Sequence, residues 1–107
     1  MKVLLSAVSL LIAGSAFATD NACVTKQKNA ASYTLAQTLV VPVQKVKVVK
    51  FAYGMWTEAV GNNTGSDTVT VSAVVGNVEL SETYEVSAKQ LGTTANCDVT
   101  QVEQVQQ

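Results

Sequence analysis

The sequence predicts an all-β chain: a small antiparallel β-sandwich or barrel of about five to seven strands, closed by one disulfide and preceded by a cleaved signal peptide. Three observations predict it. Residues 19–107 contain 17 valines and 12 threonines, and branching at Cβ stiffens the first side-chain torsion in a way that disfavours helix and suits a pleated sheet. Two stretches of apolar and polar alternation meet at Gly76-Asn77, the mark of a tight hairpin. Two cysteines, Cys23 and Cys97, stand near the ends of the segment after the leader, as in small exported domains whose core alone is thin.

The leader comes first. Lys2 precedes an apolar run over residues 3–13, and Ala16-Phe17-Ala18 supplies a small-x-small cleavage site. The run falls short of the roughly 20 apolar residues that a membrane span needs, and Thr19-Asp20-Asn21 follow it. Residues 1–18 are therefore read as a signal peptide of bacterial type, cleaved after Ala18. The expected product is a single domain over residues 19–107, periplasmic or extracellular, with no transmembrane segment in the mature chain. Cys23 follows Asp20-Asn21-Ala22, not the Leu-small-small triplet of a lipid anchor. In an oxidising compartment Cys23 and Cys97 have one pairing open to them. Closing so long a loop contributes about 4 kcal/mol in the chain-entropy treatment. A redox pair would sit as Cys-x-x-Cys, and two thiolates without histidine make a poor zinc site.

The hairpin carries its own register. With Val75 facing Val78, Ala73 faces Leu80, Val71 faces Glu82 and Val69 faces Tyr84. The other face then pairs Ser72 with Ser81, Thr70 with Thr83 and Thr68 with Glu85, so one face is apolar and the other polar. Glu82 is the exception, and an inward charge of this kind is expected at a sheet margin, where it discourages edge pairing.

Upstream, Tyr33, Leu35, Leu39, Val41 and Val43 share one parity and read as strand, with Pro42 at a sheet edge or a bend. Apolar parity then switches between Val46, Val48 and Val49, Phe51, Tyr53, which predicts a bulge near Val48-Val49. Residues 33–56 are compatible with one long bent strand or with two. Residues 61–66 and 92–96 read as loops. The last strand is expected from Cys97 to about Gln101, followed by a frayed polar tail. No internal repeat is present.

Composition narrows function. There is no histidine or arginine, and residues 19–107 hold eight acids against six lysines, so phosphate neutralisation and nucleic-acid binding are not expected. Histidine triads and histidine metal sites are excluded. A carboxylate pair could be drawn from Glu58, Glu79, Glu82 and Glu85, but Glu79 and Glu85 fall on the solvent parity. Asp67 and Asp98 are isolated, and no phosphate, dinucleotide or calcium loop occurs. No catalytic residue, cofactor or metal is expected.

Two features could carry recognition. Lys45, Lys47 and Lys50 interrupt a valine-rich stretch, as contacts for an anionic surface or glycan, or as gatekeepers against stray strand pairing. Residues 51–56 hold half of the six aromatic residues. Phe51 suits the core, while Tyr53 and Trp56 are the candidate partner contacts, on opposite faces unless Gly54 introduces a bulge. Asn62-Asn63-Thr64 is a sequon of consequence only in a eukaryotic secretory pathway. The function this predicts is a non-enzymatic exported protein acting by surface contacts, as a structural, self-associating or adhesive component that binds a protein or a second copy. The alternative is a small secreted inhibitor that blocks a hydrolase with a loop at 61–66 or 92–96.

Overall fold

The computed structural model describes residues 16–59, 61–91 and 96–105. Helix α1 (Ala16–Leu39) leads through a short 3₁₀ turn (Val43–Lys45) into five strands: β1 (Val46–Ala52), β2 (Trp56–Ala59), β3 (Asn62–Val75), β4 (Val78–Leu91) and β5 (Cys97–Gln104). All pair antiparallel in one sheet of order β1-β3-β4-β5, and β2 flanks the first part of β3 on the same side as β1. The strand-rich antiparallel sheet, its five strands and its disulfide agree with expectation. The second layer does not. A helix, not another sheet, covers the core, and the sheet is open instead of closing into a barrel. The expected leader lies outside the described residues over 1–15, as do residues 92–95 of the second expected loop and the final residues 106–107.

The helix overturns the strand reading of residues 33–39 and the all-β reading of 19–107. Cys23, Gln27, Ala31 and Leu35 are buried, and Leu39 packs against the core. These positions recur every four residues and so form one stripe along α1. Ala31 and Ala36 are buried, and Ala30 packs against the core. The same stretch shows apolar residues at alternate positions because every i, i+4 pair is also even-spaced. Gln37, the parity exception, and Tyr33 are on the exposed side.

The helix ends without glycine. The Val41 N–H reaches back to Ala36 O at 3.0 Å and the Val40 N–H to Gln37 O at 3.3 Å, the paired bonds of a Schellman ending. That ending needs a left-handed residue, and here it is Val40, at φ 56°. Pro42 follows, so the chain turns there, as expected of a bend.

The β3–β4 hairpin has the predicted register from Val75↔Val78 to Asn62↔Leu91. Gly76 takes φ 65° at the turn, as the first position of a two-residue hairpin loop requires when glycine leads. Fourteen residues at about 3.3 Å each give the hairpin the whole 46 Å length of the molecule. The predicted bulge is also present: Val48 pairs with Val71 and Lys50 with Thr70, leaving Val49 extra. Residues 33–56 therefore hold the end of α1, the turn and β1, with Trp56 opening β2.

Two further expectations are corrected. Asn62–Ser66 is not a loop but the first part of β3, paired to β2 on one side and β4 on the other. Its turn-like composition has a packing cause: a Cβ on Gly65 would lie 2.4 Å from the Trp56 ring, which crosses the strand there. The sequon asparagine, Asn62, is thereby half-buried in a strand. At the other end, β5 runs to Gln104, and the Val105 N–H still bonds Thr83 O at 2.9 Å.

Val69, Val71, Ala73, Tyr84 and Val86 meet Ala31 and Leu35 in the main core. Each fully buried valine or leucine contributes about 1.5–3 kcal/mol. A second cluster of Cys23, Ala88 and Cys97, roofed by Trp56, sits toward the start of β3.

Candidate functional site

The two ends of the molecule differ in kind. At one end the Cys23–Cys97 bond, with Cα atoms 5.2 Å apart, ties α1 to the start of β5. Next to it Asp67 is 2% exposed and accepts from the Gly54 N–H at 2.7 Å and the Trp56 indole N–H at 3.1 Å. A buried carboxylate with directed donors holds the break between β1 and β2 in place. Asp67 looks isolated in the sequence because its partners lie 11 and 13 residues away, at the start of β2 and in the break before it.

At the other end the sheet outruns the helix. Val46 pairs with Ala73, so the start of β1, the 3₁₀ turn and the C-terminus of α1 all lie beside the hairpin tip. Val75, Val78 and Leu80 continue the core face past Ala73 and are exposed, as is Val74 on the other face. Val40 is 88% exposed, and Tyr33, Val41, Pro42 and Val43 line a shallow depression of about 490 Å³ next to it. The apolar alternation marked the tip residues as inward-facing, which they are, but nothing described covers them. A left-handed, exposed, β-branched residue among them marks strain of the kind that gathers at functional sites.

The sequence-predicted contacts separate. Trp56 is half-buried over the disulfide cluster. Tyr53 is 68% exposed, and its ring is held edge-on to Phe51 at 5.1 Å, over which Lys28 sits at 5.6 Å. Residues 53–55 interrupt the strand between β1 and β2, which is how the two rings part. Lys45, Lys47 and Lys50 are exposed along β1 and the turn before it. Lys47 and Lys50 face away from α1, opposite Ser72 and Thr70.

The acids are used within the sheet. Glu79 accepts from Ser72 at 3.2 Å, Glu85 from Ser66 at 3.0 Å and Glu82 from the Gln104 amide at 2.6 Å. Glu82 stands near the end of β5, at the margin where its inward charge was expected. Burial raises the Tyr84 phenol above its usual value, the Glu82 charge adds to the rise, and the Thr38 hydroxyl opposes it. Among the described residues no group of three histidine, cysteine or acidic side chains could hold a metal ion, and no helix is long and apolar enough to cross a membrane. Comparison with protein-family models, curated proteins and solved structures finds no match.

Proposed function

We propose that the protein is exported after cleavage behind Ala18, is not an enzyme, and acts by surface contacts as a structural or adhesive component of an envelope or extracellular matrix. The observation that carries this reading is the uncovered apolar end: Val40, Val74, Val75, Val78 and Leu80 exposed together on a hairpin tip and the adjoining helix end. Val75, Val78 and Leu80 share one face of the tip, and apolar side chains grouped and exposed in this way are characteristic of interaction sites. The disulfide is consistent with export. The hydrogen bonds of Glu79, Glu82, Glu85 and Asp67 within the fold support a structural use of the acids.

Light scattering on the disulfide-intact protein, with and without Val74→Lys plus Val78→Lys, tests the reading. Both side chains are exposed, so the melting temperature should hold while association weakens. An equally associating double variant would remove the tip from the interface. For the inhibitor alternative, residues 62–66 are strand and not a loop, which leaves 92–96 as its blocking segment. A monomer that blocks a hydrolase would select it.

A further inference from the structure

On one side of the sheet β1 and β2, and on the other β5, have no described strand beyond them. Such edges present unpaired backbone donors and acceptors to any incoming strand. We infer that the occupant of each edge is a second copy of this chain: β1 of one copy adds antiparallel to β5 of the next, extending a single sheet. The inference rests on the reading that the protein acts by surface contacts; it names a second copy as the partner and places the contact on the strand edges, apart from the apolar end.

Direction comes first. In an antiparallel order of β1-β3-β4-β5, the two edge strands run in opposite senses. A copy displaced sideways with its helix on the same face therefore presents β1 antiparallel to β5 without being turned over. The contact is heterologous and repeats without closing.

Charge selects this pairing over the others. The side of β1 facing away from α1 carries Lys47 and Lys50, with Lys45 just before the strand. The same side of β5 carries Asp98, Gln101 and Glu103, opposite Lys89, Ser87 and Glu85. Pairing β1 with β1 sets lysines against lysines, and β5 with β5 sets acids against acids. Only β1 on β5 is complementary, and like charges directly opposite are unfavourable. Glu103 already faces Glu85 within its own sheet, an unfavourable pair that an incoming lysine relieves.

Strands β1 and β5 also match in length and irregularity. β1 has seven residues and β5 eight. Each has one extra residue, Val49 in β1 and Thr100 in β5. Setting Lys47 beside Gln101 brings Lys50 beside Asp98 and Lys45 beside Glu103, with the two bulges adjacent. The lysines then act as a filter, refusing a like edge and admitting an acidic one.

The test is sedimentation and negative-stain microscopy of the disulfide-intact protein purified from an exporting host. The wild type should form filaments at low salt with a rise of about 19 Å per copy, four strands at about 4.8 Å each. Lys47→Glu plus Lys50→Glu should weaken association about tenfold or more, as should Asp98→Lys plus Glu103→Lys, each with an unchanged melting temperature. The first variant has two acidic edges and the second two basic ones, so mixing them should restore filaments that neither forms alone. A wild type that stays monomeric at millimolar concentration, a lysine variant that assembles undiminished, or a mixture that fails to assemble would each overturn the inference. If Val74→Lys plus Val78→Lys abolishes association while the lysine variant retains it, the edges fall and the apolar-end reading stands.

Discussion

Replacing Val40 by glycine isolates the strain at the end of α1. Val40 has φ 56° in the Schellman ending. A Cβ-bearing residue held left-handed loses about 1–2 kcal/mol, and glycine removes that loss. Glycine also widens the unfolded ensemble, which takes back about 0.5–1 kcal/mol. The side chain is 88% exposed, so little packing is forfeited. The net expectation is a gain of about 0.5–1 kcal/mol, or a melting temperature higher by about 3–6 °C for a domain this size. Thermal unfolding followed by circular dichroism measures it, with Val40→Ala as the control that keeps a Cβ and should gain less. If the strain is kept for contact, light scattering on the same glycine variant should report weaker association despite the greater stability. A melting temperature below wild type would refute the strain argument.

Asp67→Ala should destabilise by about 3 kcal/mol, since two donors lose a charged acceptor in a buried site. Trp56 fluorescence should shift to the red as the indole loosens, and Asp67→Asn, which keeps one acceptor oxygen, should lose less. Reducing Cys23–Cys97, 74 residues apart, should remove about 4 kcal/mol; a melt with and without reductant checks it, and a loss below about 1 kcal/mol would contradict the estimate. Because burial raises the Tyr84 phenol, the folded state holds that proton more tightly than the unfolded one. Its contribution is intact below pH about 10 and falls as pH climbs through the folded value. Denaturant titrations from pH 9 upward should show Tyr84→Phe losing part of this alkaline decline.

The hairpin was fully readable because two alternations joined by a two-residue turn leave one register that keeps both faces consistent. The Val49 bulge was readable for the same reason, since a parity switch has few other causes. The helix was not. Its buried stripe is filled by Cys23, Gln27 and Ala31 before Leu35, so the contrast between its faces is small, and Leu35 and Leu39 satisfy a spacing of two as well as four. Gln27 belongs to the core only because its amide reaches Val86 O at 3.0 Å, a partner 59 positions away that no local pattern reveals. The apolar end was missed differently: alternation reports which way a side chain points, not whether another element reaches far enough to cover it. Of the candidate contacts, Tyr53 and the lysines are at the surface, while Trp56 is committed to the disulfide cluster by a glycine and an aspartate on a neighbouring strand.

The Cys23–Cys97 link also decides how the molecule answers a pull. Tension entering at one terminus and leaving at the other passes through the sulfurs, so it bypasses β1 to β4 and loads only β5 beyond Cys97. About 250 Å of contour length, 74 residues at up to about 3.4 Å each, stays hidden from the force. Pulled by its ends, the molecule can lengthen by peeling β5 away from β4, while β1 to β4 keep their fold.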